Sequence, residues 1–238
     1  MKKTAASTPK TTAPKHQTEL YTELPKEWPG ARTAYKYSKA ATLVNWQTYL
    51  YVFLITLAFS AVFYKLGGND STQGRYVLAQ IGSMLVSTFL GVSITVIELK
   101  NVARKKIDLD GALSMGGRYF VQTFLAGMAT LFILIVSFLL LIVPFFFVAP
   151  RLVLYPYFIV DKNLGALEAL RASWESTRGH VSKVWGIIGM TILYALIMIS
   201  IIGIPVALYM LFMYSSASAL LYRWITRSST KNAQHGKH

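Results

Sequence analysis

A single arginine, Arg151, stands between Pro150 and Pro156 in the apolar stretch FFFVAPRLVLYPYFIV. A guanidinium stays charged and carries five hydrogen-bond donors, so in apolar surroundings it needs acceptors. Each proline removes a backbone donor and frees the carbonyl four residues earlier, here the carbonyls of Phe146 and Leu152. We therefore expect the Arg151 guanidinium to bond to these carbonyls, or to bind an anionic group such as a lipid phosphate.

Further polar residues lie near this stretch. Glu98 is the one carboxylate inside an apolar run, and we expect it to lie a turn or two too shallow to pair directly with Arg151. Downstream, charges of alternating sign recur at spacings of three and four, which predicts an amphipathic helix over 163–178. The candidate ligand-binding residues are Arg151, Glu98, Asp161, Arg171, Trp174 and Arg178.

The helix predicted over 163–178 has two faces of different chemistry. Leu167, Leu170 and Trp174 share an apolar face, which predicts that the helix lies flat in the lipid headgroup layer. A simple solvated linker helix is the alternative, and Trp174 on the apolar face favours the interfacial position. The charged residues on the neighbouring face are Glu168, Arg171, Glu175 and Arg178.

The sequence offers little for catalysis. None of the four histidines lies in an apolar run, and there is no cysteine, no HExxH motif and no GxSxG motif. Asp108 and Asp110 follow Lys105 and Lys106, and we interpret them as a solvated helix start rather than a metal site. We therefore predict a protein that is not an enzyme and needs no metal or cofactor.

The composition indicates a membrane protein. Of the 238 residues, 54% are hydrophobic and 14% are charged, against about 25% charged in soluble domains. The net charge of +14 is explained by basic loops that attract anionic headgroups, and no basic run carries the aromatic pattern of nucleic-acid-binding modules. We predict an all-α integral membrane protein, a six-helix transmembrane bundle of three hairpins with interfacial amphipathic helices.

Six apolar runs approach the length that a helix needs to cross a bilayer. The membrane domain is predicted over 29–227, between a basic disordered cytosolic tail over 1–28 and a disordered tail over 228–238. The predicted spans are about 44–64, 76–99, 119–143, 145–160, 184–202 and 206–225.

The number of spans depends on the short run 145–160, which either crosses the membrane or is re-entrant. If all six runs cross, segments with eight, five, four and four basic residues share one side, and only Lys65 and Arg75 fall on the other. The positive-inside rule therefore favours six spans in the cell membrane, with both termini in the cytoplasm.

Two finer patterns concern helix packing. Ser83, Ser87, Gly91 and Thr95 recur every four residues, which predicts a face where another helix approaches closely. Three short segments, PGARTAYKYS, LDGALSMGGRY and LGALEALRAS, precede the three hairpins, and each could be an interfacial helix. They indicate an internal repeat, although unrelated amphipathic linkers would look similar.

The stretch VPFFFVAPRLVLYPYFIVDKNLGALEALRASWESTRG resembles the signature of a multi-pass membrane domain attached to some bacterial glycerophosphodiester phosphodiesterases, and of related stand-alone inner-membrane proteins. The two spans that follow fit this family, whereas the first hundred residues fit it only in layout. The resemblance implies a helical membrane domain without catalysis, because the phosphodiesterase activity belongs to a separate soluble barrel domain. The residues that carry it are Pro144, Arg151, Pro156, Asp161, Gly165, Ala169, Leu170, Arg171, Ser173, Trp174, Thr177 and Gly179.

Two classes of function follow from these patterns. The first is a non-catalytic module that binds or organises membrane lipids, anionic ones in particular, or protein partners including copies of itself. The alternative is a small transporter or channel with a site near Arg151, where prolines break the helices. The apolar runs carry almost no charge besides Arg151 and Glu98, which favours the first class. The sequence does not identify the ligand.

Overall fold

The computed structural model describes residues 27–67, 73–140, 142–197 and 203–235, and these residues form helices joined by short turns. A 3₁₀ turn, Leu43–Asn45, links the first helix to the second. The predicted all-α class is therefore confirmed for this part of the chain. The helices are α1 Ala31–Thr42, α2 Trp46–Leu66, α3 Gln73–Val102, α4 Leu109–Leu140, α5 Ile142–Leu152, α6 Tyr155–Lys162, α7 Ala166–Ser176, α8 Val181–Ile197, α9 Gly203–Tyr214 and α10 Ala217–His235.

Among the described residues, five helical stretches are long and apolar enough to cross a membrane. One of them combines α5 and α6, so the short run over 145–160 lies in a stretch of sufficient length. A sixth is reached only if α7 and α8, which meet at a bend of 105°, count together. The five stretches are Ala31–Leu66, Gln73–Val102, Leu109–Leu140, Pro144–Lys162 and Pro205–Ser228.

The two ends of the bundle differ in whether their large apolar side chains are buried or exposed. At the packed end, which contains Tyr157 and Tyr222, such side chains form a buried core. At the bare end, which contains Val62, Leu78 and Leu139, they are exposed. Apolar surface of this extent is unusual in a water-soluble monomer, and it is compatible with a membrane bundle.

The close contact between α3 and α4 does not use the predicted stripe of small residues. Ser87 and Gly91 of that stripe are exposed. Instead Gly116 lies against Ser93, where any added Cβ atom would collide with the serine hydroxyl. The prediction fails at Ser87 and Gly91, although Thr95 of the same stripe is buried, because small residues permit a close approach without requiring one.

Helix α7 runs back along α6 instead of lying flat beyond its end. The hydroxyl of Ser173 donates a hydrogen bond of 2.7 Å to the carbonyl of Arg151. Both residues lie eleven positions from Lys162, one on each side. Two helices joined by a short turn keep such a contact only when they run roughly antiparallel, so α7 packs beside the α5–α6 break.

The predicted apolar face of α7 divides between the protein and its surface. Leu170 is buried in the protein, whereas Leu167 is 74% exposed, and the position of this face in the headgroup layer stays a prediction. The helix packs through Ala169, Ser173 and Thr177, whose small side chains let its backbone approach α6 closely. The charged face is exposed as predicted, and there Arg171 Nε lies 3.0 Å from Glu175 Oε1.

The segments that precede the hairpins and the chain ends show further differences. PGARTAYKYS and LGALEALRAS supply α1 and α7, whereas LDGALSMGGRY is simply the start of α4. The disordered tail predicted from residue 228 is wrong up to His235, because α10 continues to that residue. Residues 1–26 of the predicted N-terminal tail lie outside the described residues.

Candidate ligand-binding cavity at Glu98

Glu98 is buried near the C-terminal end of α3. Tyr157 of α6 donates a hydrogen bond of 2.6 Å from its hydroxyl to Glu98 Oε2. A buried carboxyl group needs such a partner, and the distance is typical of a strong O–H···O bond. The bond fixes one oxygen of the carboxyl group where α3 and α6 meet.

A cavity of about 510 Å³ adjoins Glu98, a volume within the usual range for small-molecule sites. Its polar wall combines the carboxyl group with hydroxyl groups from α2, α8 and the α9–α10 junction. Its other wall is apolar and comes from α2 and α9. The lining residues are Tyr49, Leu50, Phe53, Glu98, Thr191, Leu208, Leu211, Phe212, Tyr214, Ser215 and Ser218.

The cavity reaches the outside of the bundle between α2 and α9. Phe53 of α2 and Leu208 of α9 line the cavity and are 40% and 41% exposed. On the inner side the two helices meet where Tyr49 packs edge-on against Phe212, with 4.9 Å between ring centroids. A molecule in the cavity would therefore have a polar group inside and an apolar part at the opening.

The helix break at Ser215 and Ser216, which contributes to the polar wall, is fixed by buried side chains. The hydroxyl groups of Thr42 and Ser216 lie 3.0 Å apart, and Asn101 Nδ2 donates to Ser216 Oγ at 3.3 Å. Asn45 Nδ2 donates in turn to Asn101 Oδ1 at 2.8 Å. These bonds connect α1, the 3₁₀ turn, α3 and the break, and so hold the cavity wall in place.

A family model described as "Domain of unknown function (DUF7847)" matches residues 46–229. The chain belongs to this family. The match includes every residue that lines the cavity and begins just after α1 and the 3₁₀ turn. No curated protein and no solved structure matches the chain. The resemblance to phosphodiesterase-associated membrane domains therefore stays a prediction.

Arg151 contacts an aromatic ring rather than the carbonyls predicted as its partners. Its guanidinium carbon lies 4.6 Å from the ring centroid of Trp174, a cation–π distance. Its Nε is buried and has no hydrogen-bond partner among the described residues. The carbonyl of Phe146, freed by the proline, accepts from Trp185 Nε1 at 3.2 Å. Trp185 and Ser173 thus satisfy carbonyls at the break, which the guanidinium was expected to do.

Arg151 and Glu98 have different partners. Glu98 bonds to Tyr157, which lies beyond the α5–α6 break, whereas Arg151 contacts Trp174. The expectation that the two groups lie too far apart to pair stays a prediction. Arg151 also does not line the cavity.

Asp161 contacts two residues of α10. Its carboxylate lies 3.0 Å from Arg223 Nη2 and accepts a bond of 2.8 Å from the Tyr222 hydroxyl. Tyr222 stacks on Tyr157 with 5.6 Å between ring centroids. Asp161 therefore supports the cavity indirectly, through the two tyrosines and Glu98.

The two remaining predicted site residues, Arg171 and Arg178, are exposed on the outer face of α7 and do not line the cavity. Asp108 accepts a bond of 3.3 Å from the Gly111 amide at the start of α4, which agrees with its interpretation as a helix start. Within the described residues no cluster of acidic or histidine side chains could hold a metal.

Sequence reasoning found Glu98 but missed the hydroxyl groups around it. Tyr49, Tyr157, Ser215 and Ser218 all contact Glu98 or line its cavity. The signal was available, because a tyrosine hydroxyl in an apolar run needs a partner as much as a charge does. What the sequence did not indicate was which of the many tyrosines point inward.

Proposed function

We propose that this chain is a non-catalytic protein of the bacterial inner membrane, with six spans and both termini in the cytoplasm. In that membrane it binds an amphiphilic lipid in the cavity at Glu98. Five long apolar helical stretches and the exposed apolar side chains of the bare end support a membrane location. The bias of basic residues supports the orientation.

The single observation that carries the proposal is the arrangement of the cavity. Its carboxyl and hydroxyl groups lie inside, and its opening is bordered by Phe53 and Leu208. A lipid can match this arrangement by donating hydrogen bonds from its headgroup to Glu98 while its chain leaves between α2 and α9. The chemistry favours a headgroup with an amine or hydroxyl group over a bare phosphate, which a carboxylate would repel.

The test is the lipid that remains bound to the full-length chain after detergent purification. Leu208→Trp should fill the opening and reduce the retained lipid at least fivefold, as measured by extraction and mass spectrometry. Leu78→Trp places the same bulk on an exposed position far from the cavity and serves as the control. Equal lipid content in the two variants would contradict the proposal.

A transporter of amphiphiles is the second candidate, and one observation favours it. Ser215 lies at the break between α9 and α10 and lines the cavity, and transporters often build sites at broken helices in the membrane. This moves the transporter alternative from Arg151 to Ser215. Proteoliposomes that contain a fluorescent phospholipid, with a quencher added outside, distinguish a lipid-binding protein from a transporter. Only a transporter should make the phospholipid exchange between leaflets faster than it does in protein-free vesicles.

The orientation has its own test. Reporter fusions after Thr72 and Val143 should read outside, and a fusion after Asn163 should read inside. An outside reading at Asn163 would instead favour five spans, with 145–160 re-entrant.

A further inference from the structure

A second and larger concave surface lies beside α3. It is a groove of about 970 Å³ between the start of α2 and the junction of α3 with α4. Lys100 points into this groove from the same end of α3 that presents Glu98 to the cavity. The groove residues are Leu43, Val44, Asn45, Trp46, Gln47, Thr48, Lys100, Lys106, Ile107, Asp108, Gly111 and Met115.

Two lysines dominate the charge of the groove. Within the described residues, neither Lys100 nor Lys106 has an ion-pair or hydrogen-bond partner for its ammonium group. Asp108 is the one acidic residue among the groove residues, and its carboxylate already accepts the Gly111 amide at the start of α4. Two lysines against this one aspartate leave the groove with a net positive charge.

The backbone that carries Lys106 is held firmly. Asn45 donates a bond of 2.8 Å to the carbonyl of Lys105 and accepts one of 2.8 Å from the amide of Ile107. Thr48 donates a third, also of 2.8 Å, to the carbonyl of Ile107. A loop fixed on both sides of Lys106 loses less conformational freedom when a ligand binds there.

The rim of the groove is apolar and exposed. Leu43, Trp46 and Met115 all have large side chains that solvent can reach, beside the two lysines. Basic residues next to an exposed tryptophan are typical of the boundary between a bilayer and the cytoplasm. From Trp46 the exposed apolar side chains continue along α2 through Leu54 and Leu57.

We propose that this groove binds an anionic phospholipid, with its phosphate between Lys100 and Lys106 and its chains along α2. The charge complementarity and the apolar path that starts at the rim together select a lipid over a soluble anion. The proposal rests on the membrane location proposed above, but not on the cavity at Glu98, which lies on another side of α3 and has the opposite charge.

The experiment measures the melting temperature of the full-length protein in neutral detergent as phosphatidylglycerol or phosphatidylcholine is added. We expect phosphatidylglycerol to stabilise the wild type more strongly. Lys100→Gln with Lys106→Gln should raise the half-maximal concentration of phosphatidylglycerol about tenfold or more. The control is Lys162→Gln with Lys183→Gln, which removes the same charge at two lysines that each lie over an aromatic ring. The control should change the half-maximal concentration of phosphatidylglycerol little.

Three outcomes would overturn the proposal. In the first, the Lys100 and Lys106 variant responds to phosphatidylglycerol like the wild type. In the second, the control variant loses as much of this response as the Lys100 and Lys106 variant does, which would mean a general charge effect. Inorganic phosphate alone could stabilise the wild type as well as the lipid does, which would mean a site for soluble anions. Lipid retained in the Glu98 cavity should be unchanged in the Lys100 and Lys106 variant, so failure of either proposal is recognised separately.

Discussion

The cavity at Glu98 and the groove at Lys100 lie on different sides of the same end of α3, and they are built in different ways. The cavity has a buried carboxyl group held by a tyrosine from another helix. The groove has an exposed Lys106 and a partly exposed Lys100, and buried side chains hold the backbone of Lys106 in place. In the cavity the buried polar groups are part of the site itself, whereas in the groove they only support the backbone that carries the site.

This difference has an energetic consequence. A buried polar group that loses its partner costs about 1–3 kcal/mol, whereas removing a charge that makes no ion pair at the surface costs little. Substitutions at the cavity should therefore affect both stability and binding. Substitutions at the groove lysines should affect binding and leave stability nearly unchanged, so the two regions can be tested separately.

The largest effect is expected where the regions share a residue. Asn45 lines the groove and bonds to Asn101, which supports Ser216 beside the cavity. Asn45→Leu removes three hydrogen bonds at once and should lower the free energy of unfolding by about 3 kcal/mol or more. Thermal unfolding in detergent measures this. If Asn45→Leu abolished lipid binding at one region and left it intact at the other, the two supports would be independent, which would contradict this prediction.

The next effect should be confined to the cavity. Tyr157→Phe leaves the buried Glu98 carboxyl group without its donor, which should cost about 1–3 kcal/mol and reduce the retained lipid. The phosphatidylglycerol response of the groove should persist. The control is Tyr51→Phe, at an exposed tyrosine of α2. Equal melting temperatures for the two variants would argue that the Tyr157 bond does not matter.

A smaller effect is expected outside both regions, at the break beside Arg151. Ser173→Ala removes the donor to the Arg151 carbonyl and should cost about 1 kcal/mol without changing either lipid response. Ser176→Ala is the matched control, because that serine bonds only within its own helix turn. A loss of lipid from the cavity in Ser173→Ala would connect the break to the site and contradict their separation.

The smallest effect is expected at the exposed face of α7. Arg171→Ala breaks the ion pair with Glu175, which is exposed and therefore worth less than about 0.5 kcal/mol. Melting temperature and both lipid responses should stay at wild-type values. A clear loss of lipid binding would instead restore Arg171 as a site residue, as the sequence predicts.

Apolar runs predicted the long helices, because their length and composition leave few alternatives. Helix α3 extends the run 76–99 by three residues at each end, whereas α4 begins ten residues before the run 119–143. The return of α7 along α6 was missed, because it depends on how closely Ala169 and Ser173 let two backbones approach. Hydrophobic periodicity reports that a helix has faces, but not which face meets a neighbour.

The candidate site was predictable in part for a similar reason. Glu98 stood out because a carboxylate in an apolar run is expensive. Its partner Tyr157 is 59 residues away, and only the packing of α3 against α6 brings the two together. The same rule selected Arg151, but its guanidinium contacts Trp174, and Ser173 and Trp185 bond to the carbonyls at the break. The cavity lies elsewhere.

The most direct test of the central claim is to locate a bound lipid chain. Full-length protein in a lipid nanodisc is illuminated with a phospholipid that carries a photoreactive group on its acyl chain, and labelled peptides are mapped by mass spectrometry. The account predicts that the label is concentrated on Phe53, Leu208 and Leu211. In Leu208→Trp, the label on Phe53 and Leu211 should be lost. Label spread evenly over exposed apolar residues such as Leu78 and Leu139 would contradict it.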